Sequence, residues 1–120
     1  MTATFRESIT QNGRLIDPSA MAKAFGITKR RLADGIGLPA EALYRKSCVN
    51  GRTTQARLRD FVEFMDVIVA WLATPAAAFN WYCWHPLLSF DGRTAEEVFK
   101  AEGIDVLKTW VGRVEAGVHI

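Results

Sequence analysis

The longest regular pattern in the chain is an apolar repeat that runs from about Thr53 to Ala73. Its apolar residues recur every three or four positions, which is the spacing of one face of an α-helix. A second stripe lies on another side of the same helix. Because a helix that is apolar on two sides needs more than one neighbour, we expect it at the centre of an all-α fold. The first stripe is Leu58, Phe61, Val62, Met65, Ile68, Val69 and Leu72, and the second is Phe64, Val67 and Trp71.

Two different neighbours would satisfy the second stripe. The C-terminal segment of the same chain can pack on it, or a second copy of the protein can. A chain of 120 residues buries only about two-thirds of its unfolded surface, so dimerisation would add stability. The sequence leaves both open, and we expect a homodimer that uses Phe64, Val67 and Trp71.

Shorter helices are predicted before the long one. Asp17-Pro18 caps and begins a helix that Gly26 ends. Thr28 caps a second helix, and Leu38-Pro39 begins a third. No strand pattern is found, and residues 1–16 are expected to form a flexible lead-in.

Behind the long helix, residues 75–86 are predicted to form a break rich in aromatic side chains. Thr94 and Glu97 then make a capping box for a helix, and Gly103 separates it from a last helix. The end of the chain is therefore a helical hairpin. The chain divides into a lead-in (1–16), a helix-turn-helix region (17–52), the central helix (53–75) and a C-terminal domain (76–120).

Charge is unequally divided along the chain. Residues 1–60 hold 11 Lys/Arg against 5 Asp/Glu, whereas residues 61–120 hold 4 against 8. A basic half suits a polyanion such as DNA, and an acidic half is repelled from it. An uneven scatter of charge by chance gives the same count.

Secretion and membrane insertion are not expected. The N-terminus lacks the apolar core of a signal peptide, and Cys48 and Cys83 are expected to be free thiols in the cytoplasm. The most apolar stretch, residues 61–79, carries Glu63, Asp66 and a proline, which does not suit a span of roughly 20 apolar residues.

The sequence offers no assembled catalytic site. It has no glycine-rich phosphate loop and no nucleophile elbow, and the adjacent Glu96 and Glu97 point to different sides of their helix. The pair Cys83-x-His85 supplies only two of the three or four ligands that zinc needs. We therefore expect a binding protein without a metal or cofactor, and not an enzyme.

Residues 29–48 have the spacing of a helix-turn-helix. Ala33 is small where the helices cross, Gly37 lies at the turn, and Leu38 and Leu43 take core positions. The start of the second helix would meet base edges in the major groove, and the start of the first would hold phosphate. The predicted DNA-binding residues are Thr28, Lys29, Arg30, Arg31, Pro39, Ala40, Glu41, Tyr44 and Arg45.

Further along, Arg52, Arg57 and Arg59 extend this basic face. The alternative is a purely structural helix pair, because similar pairs occur in all-α folds that never touch DNA. The predicted recognition helix is also poor in Asn, Gln and Arg, the residues that read bases.

The block from His85 to Val118 resembles the toxin-binding domain of the Xre/MbcA/ParS family of bacterial antitoxins. The order of a helix-turn-helix, a long helix and this block is also similar, so the resemblance covers roughly residues 25–118. The matching residues are Pro86, Leu88, Phe90, Asp91-Gly92-Arg93-Thr94, Glu97, Gly103, Val106 and Arg113-Val114-Glu115-x-Gly117-Val118.

The resemblance implies an antitoxin that docks on a RES-domain toxin, an enzyme that consumes NAD, and obstructs its active site. It also implies operator DNA as a second partner and a homodimer. A stand-alone helix-turn-helix regulator, whose back half serves dimerisation, is the alternative. The exposed end of the chain is the predicted toxin contact: Lys108, Arg113, Glu115, Gly117, Val118, His119 and Ile120.

The segment Asn80 to His85 is more aromatic than the family's plainer stretch. Trp81, Tyr82 and Trp84 are predicted to lie in the core or at a partner interface, because small cores depend on aromatic residues. Stacking on a nucleobase is the alternative.

Overall fold

The predicted long helix is present, and shorter helices surround it. The computed structural model describes residues 9–11 and 15–117. This part of the chain is all-α, as predicted, apart from one pair of two-residue strands. In chain order the elements are β1 (Thr10–Gln11), β2 (Leu15–Ile16), α1 (Pro18–Phe25), α2 (Lys29–Gly35), α3 (Glu41–Tyr44), α4 (Lys46–Val49), α5 (Arg52–Leu72), α6 (Pro75–Trp84), a 3₁₀ turn (Leu88–Phe90), α7 (Ala95–Glu102) and α8 (Asp105–Glu115).

The aromatic centre of the core lies on α5. The Phe61 ring packs against rings from α1, α6 and α7, with centroids 5.6 Å from Phe25, 5.1 Å from Tyr82 and 5.9 Å from Phe99. All four side chains are at most 2% exposed. The helix-turn-helix region, the central helix and the hairpin therefore share one hydrophobic core.

The second stripe of α5 is partly covered by the chain itself. Phe64 is 2% exposed, and its ring lies 6.2 Å from Trp81 and 6.4 Å from Tyr82 of α6. The dimer prediction is therefore wrong for Phe64, because a side chain buried under α6 has no surface left for a second copy. Val67 is half-buried and Trp71 is 41% exposed.

The break predicted for residues 75–86 is wrong, since most of it is the helix α6. Thr74 caps this helix by accepting a hydrogen bond from the Ala77 N–H (3.2 Å), and Pro75 occupies the first turn. The helix α6 itself carries apolar residues on nearly all of its sides, so the sequence shows no helical period there. Within the described residues no single helix has the length and hydropathy of a membrane span. The pair α5 and α6 reaches that composition only together, across a bend of 109°.

The predicted starts of the first two helices are confirmed. Asp17 accepts from the Ser19 N–H (2.9 Å), and Thr28 accepts from the Arg31 N–H (3.0 Å). The turn predicted at Gly37 is also present, because this residue takes a left-handed φ of 76° that favours glycine. The front half thus begins as the sequence predicts.

The predicted third helix is broken in two. Arg45 takes an extended conformation between α3 and α4, and its carbonyl accepts from the Val49 N–H (2.8 Å) to start α4. The second helix of the expected helix-turn-helix is therefore only four residues long.

Two described residues of the predicted flexible lead-in pack in the core. Ile9 and Ile16 are 1% and 6% exposed in the core, and Thr10 pairs with Ile16 in the antiparallel strands, so the prediction of no strand is wrong. Buried Gln55 of α5 both accepts from the Ile16 N–H (2.9 Å) and donates to the Ile16 carbonyl (3.0 Å). These bonds satisfy a backbone that would otherwise be buried without partners.

The C-terminal hairpin is confirmed. Thr94 and Glu97 form the predicted capping box, with the Glu97 N–H donating to the Thr94 hydroxyl (3.2 Å) and the Thr94 N–H to the Glu97 carboxylate (2.9 Å). Before it, Asp91 and Gly92 take left-handed conformations, and the Gly92 N–H donates to the Leu87 carbonyl (2.9 Å). This turn and hairpin are therefore built by several of the residues on which the predicted resemblance rests.

Candidate functional site

Four of the nine predicted DNA-binding residues line one shallow depression. Its volume is about 500 Å³, and it joins the start of α2 to the loop before α3. The side chains that line it are Thr28, Arg30, Arg31, Asp34, Leu38 and Ala40. Pro39, Glu41, Tyr44 and Arg45 are exposed further along the chain.

Arg31 is not a free cation in this site, which corrects its predicted role. Its guanidinium donates to both carboxylate oxygens of Glu96 on α7 (2.9 and 3.1 Å) and to Asp34 (3.1 Å). It also donates to the Cys83 sulfur (3.0 Å) and lies over the Phe79 ring. The hydrogen bonds to Glu96 raise the pKa of Arg31 above its ordinary value, against an opposing effect of burial. Arg31 therefore ties the front half to the hairpin.

Arg57 has a similar internal role, which the predicted basic face missed. Its Nε donates to the Ile36 carbonyl (2.8 Å) at the end of α2, and its Nη2 donates to the Phe99 carbonyl (3.4 Å) of α7. The guanidinium also lies 4.5 Å from the centroid of the Phe99 ring. The Ile36 carbonyl lies just past the end of α2, where the backbone lacks intrahelical donors, whereas the Phe99 carbonyl also accepts from the Gly103 N–H (2.9 Å).

Other predicted residues stabilise the helix pair itself. The Thr28 hydroxyl caps α2, and the Lys29 ammonium lies 4.4 Å from the centroid of the Tyr44 ring on α3. The contact between Lys29 and Tyr44 holds α2 beside α3, at a magnitude of about 0.5–1 kcal/mol for an exposed cation–π pair.

Five exposed cations between α2 and the first turns of α5 form no ion pair within the described residues. We call this set the front cations. They are distributed over α2, the junction of α3 and α4, and the first turns of α5. The front cations are Arg30, Arg45, Lys46, Arg52 and Arg59.

The base-reading capacity of this surface is small. The helix α3 has four residues and begins with the exposed carboxylate of Glu41. A negative group at the start of a recognition helix can accept from cytosine but also repels phosphate. The arrangement favours neutralisation of a backbone over reading of a sequence.

A cluster of aromatic side chains lies on α6 and its neighbours. The Trp110 ring lies 6.0 Å from Trp71 and 5.8 Å from Trp81, and the His85 ring stacks on Trp81 at 5.6 Å. Trp84 is 75% exposed beside them. We call these five residues the aromatic surface, and it contains all four tryptophans of the chain.

Sequence reasoning identified the aromatic run but missed its link to Trp71 and Trp110. The helical spacing of Trp81, Trp84 and His85 was the available signal, because positions three and four apart share a helix face. The prediction of a break over residues 75–86 overlooks this spacing.

The predicted toxin-binding residues divide into three groups. Lys108 is paired with Glu63 of α5 (3.0 Å), and this hydrogen bond raises the pKa of Lys108. Arg113, Glu115 and Gly117 are exposed at the end of α8. Val118, His119 and Ile120 lie outside the described residues.

Arg113 also lines a cleft of about 220 Å³ beside the aromatic surface. The cleft is formed between the 3₁₀ turn and α8, with Phe90 and Trp110 as its aromatic walls. A cation at the mouth of an apolar cleft is a suitable contact for a partner protein, because arginine and aromatic residues carry much of the binding energy of interfaces.

Cys83 is a buried, free thiol at the contact between Arg31 and Glu96. Burial, with the nearby Glu96 carboxylate, raises the pKa of Cys83 to about 11. Next to it, the buried Tyr82 hydroxyl donates to the Gly35 carbonyl (2.6 Å), and burial raises its pKa as well. The described residues contain no group of three or more His, Cys, Asp or Glu side chains that would hold a metal ion.

Comparison with known proteins adds no information on the fold or the site of this chain. No protein-family model matches the chain, and neither a curated protein nor a solved structure matches it.

Proposed function

We propose that this chain is an antitoxin of a type II toxin–antitoxin system. In this proposal the C-terminal hairpin binds and blocks a RES-type toxin that consumes NAD, and the front cations bind operator DNA. The observation that carries the proposal is the way the block from His85 onward folds into one hairpin that leaves Arg113 and Glu115 exposed. The cytoplasm is the compartment in which such a protein works.

The hairpin supports a docking role because its fold and its exposed end use different residues. Leu87, Phe99 and Leu107 are at most 4% exposed and anchor it to the core. Arg113 and Glu115 make no ion pair within the described residues and remain available to a partner. A rigid support for exposed polar contacts reduces the entropy lost on binding.

The aromatic surface extends this docking region. Trp84 and Leu88 are 75% and 84% exposed, and residues of this size are costly to leave in water. Burial of the two side chains by a partner would contribute about 1.5–3 kcal/mol each. In this proposal a homodimer uses Val67, which is half-buried, and Trp71, which is 41% exposed.

DNA binding in this proposal is mainly electrostatic. The front cations each neutralise a phosphate and release counterions, so the affinity falls steeply with salt. With Arg31 and Arg57 engaged internally, fewer cations reach the DNA than the sequence count suggests.

The experiment is co-expression of the chain with a RES-domain toxin encoded beside its gene. The proposal expects growth to be restored and the two proteins to co-purify. Loss of both in the charge-reversal variant R113E, with an unchanged circular dichroism spectrum, supports the hairpin as the contact. A folded wild-type chain that neither restores growth nor co-purifies contradicts the proposal.

A stand-alone regulator is the second candidate, and the unpaired front cations favour it because they need no toxin to bind DNA. A gel shift with the region upstream of the gene separates the two candidates. Salt-sensitive binding together with failure of the co-expression experiment would select the regulator.

A further inference from the structure

We infer that Glu96 is an internal substitute for a DNA phosphate: its carboxylate occupies Arg31 and so keeps this guanidinium from the backbone of a bound duplex. The inference rests on the proposed DNA binding by the front half and adds an autoinhibitory contact to it. It also explains why one of two adjacent arginines at the start of α2 is free and the other is not.

The contact has the geometry in which arginine binds phosphate. Both terminal nitrogens of Arg31 donate, one to each oxygen of Glu96, at 2.9 and 3.1 Å. Arginine forms the same two-bonded pair with a carboxylate and with a phosphate. A phosphate at this position would therefore compete with Glu96 for the same two donors.

Arg31 remains accessible to such a competitor. Its side chain is 35% exposed, whereas that of Glu96 is 13% exposed. The Arg31 side chain lines two neighbouring depressions, one shared with Arg30 and Ala40 and the other shared with Glu96. A small change of rotamer would move the guanidinium from the carboxylate towards the depression that contains Arg30.

The hairpin does not depend on this contact to stay in place. Arg57 joins the end of α2 to the Phe99 carbonyl, and the Tyr82 hydroxyl holds the Gly35 carbonyl at 2.6 Å. The Phe99 side chain is fully buried in the shared core. Removal of the Glu96 charge should therefore free Arg31 from its two-bonded partner without separating the two halves, and Asp34 and the Cys83 sulfur remain as its weaker, singly bonded contacts.

The test measures the binding of a short fluorescent DNA duplex by E96Q in a salt series. Release of one phosphate contact is expected to tighten binding about threefold to tenfold at roughly 50 mM salt and to steepen the slope of log K against log salt by about 0.9. E96A is measured as well, because an alanine cannot accept from Arg31 at all and should give the same or a larger gain.

E97Q is the matched control. Glu97 is the adjacent carboxylate and borders the same depression as Glu96, but it bonds Thr94 and not Arg31. Its substitution changes the net charge equally in the same region. The inference expects the duplex affinity of E97Q to stay close to that of the wild type.

A double-mutant cycle identifies Arg31 as the group released. R31A alone is expected to leave duplex affinity within about twofold of wild type, whereas R30A weakens binding, since of these two arginines only Arg30 is free to contact phosphate in the resting protein. In the R31A background the gain from E96Q should disappear. A gain that persists without Arg31 would overturn the inference, because it would then come from net charge alone.

The outcomes separate this inference from the proposed function. If the wild type binds the duplex and both E96Q and E96A match E97Q, the autoinhibitory contact is wrong and DNA binding stands. If no variant binds at low salt, both are wrong. If the wild type binds weakly and E96Q or E96A binds more tightly through Arg31, both are supported.

Discussion

The front half exposes the five front cations without an ion pair in the described residues, whereas the two most exposed large hydrophobic residues, Trp84 and Leu88, lie in the back half. Arg30, Arg45 and Arg52 stand in solvent without an ion pair in the described part of the chain, and Trp84 and Leu88 are 75% and 84% exposed. Free cations suit a strongly charged and hydrated ligand, and exposed aromatic residues suit a partner that removes water. One small core thus carries two surfaces of different chemistry.

The two halves are nevertheless bound together by their own polar side chains. Arg31, Arg57 and Tyr82 each bridge α2 or its end to the α6–α7 region, through Glu96, Phe99 and Gly35. Arg31 and Arg57, which the sequence places on a basic face for DNA, instead hold the two halves of the chain together. The count of arginines therefore overestimates the binding surface.

The largest expected effect tests whether the two halves are one folding unit. Phe99→Ala removes a fully buried ring that contacts Phe61 and Tyr82, so unfolding should become easier by about 3–5 kcal/mol. Because the core is shared, the unfolding transitions followed by far-ultraviolet circular dichroism and by tryptophan fluorescence should move together to lower urea concentration. Leu88→Ala is the control, and its exposed side chain should contribute less than about 0.5 kcal/mol. Separate transitions for the two signals would mean independent halves.

The second effect concerns the surface of the back half. Arg113→Glu reverses an exposed charge that lines the cleft beside Trp110, and it should weaken binding to the proposed RES-domain toxin about tenfold or more. Calorimetry measures the affinity. The affinity for a DNA duplex should not fall by more than about twofold, and a large loss there would remove the distinction between the surfaces.

The third effect concerns the surface of the front half. Replacement of Arg30 and Arg45 by Ala should reduce the salt slope of duplex binding by about 2 and weaken binding about tenfold at low salt. Fluorescence anisotropy across a salt series measures both. Toxin affinity should be unchanged, and Arg113→Ala with Lys108→Ala removes the same number of charges from the back half as a control. An equal loss of duplex affinity in that control would leave only net charge as the cause.

The smallest effect compares the two thiols. At pH 8 a pKa of about 11 leaves about one in a thousand Cys83 groups as thiolate, the reactive form, and the thiol is also buried. Half-buried Cys48 should therefore react with iodoacetamide roughly tenfold faster or more, as measured by mass spectrometry of the native protein.

The raised pKa of Cys83 also sets the direction of a pH effect. The folded state disfavours the thiolate, so its contribution to stability is present below the unfolded pKa of about 8.5 and is lost as the pH rises towards 11. Labelling of Cys83 should accelerate over this range. Equal labelling of both thiols at pH 8 would contradict the buried position at the junction.

The sequence was sufficient for the elements that local chemistry controls. The caps at Asp17, Thr28 and Thr94 follow from short patterns and are present. The first stripe on α5 is buried as predicted from Leu58 to Ile68, but Leu72 at its end is 38% exposed. The helix α6 was missed because a helix that is apolar on nearly all sides has no visible period. The burial of Ile16 in the core is accompanied by two hydrogen bonds to Gln55, which is far away in the sequence.

The candidate site was predictable in its residue types but not in their partners. Arg30 and Arg31 look equivalent in sequence, and only the position of α7 brings Glu96 to Arg31 and not to Arg30. In the same way, no local pattern shows that Trp71 and Trp110 meet. Contacts between distant segments decide which charges and rings remain available.

The most direct test of the two-surface account is size-exclusion chromatography with light scattering on a mixture of the chain, the RES-domain toxin and a DNA duplex from upstream of the gene. The account predicts a single complex that contains all three components, because the front cations and the exposed end of α8 belong to different elements of the fold. Elution of only toxin-bound and DNA-bound species, with each ligand displacing the other, would contradict it.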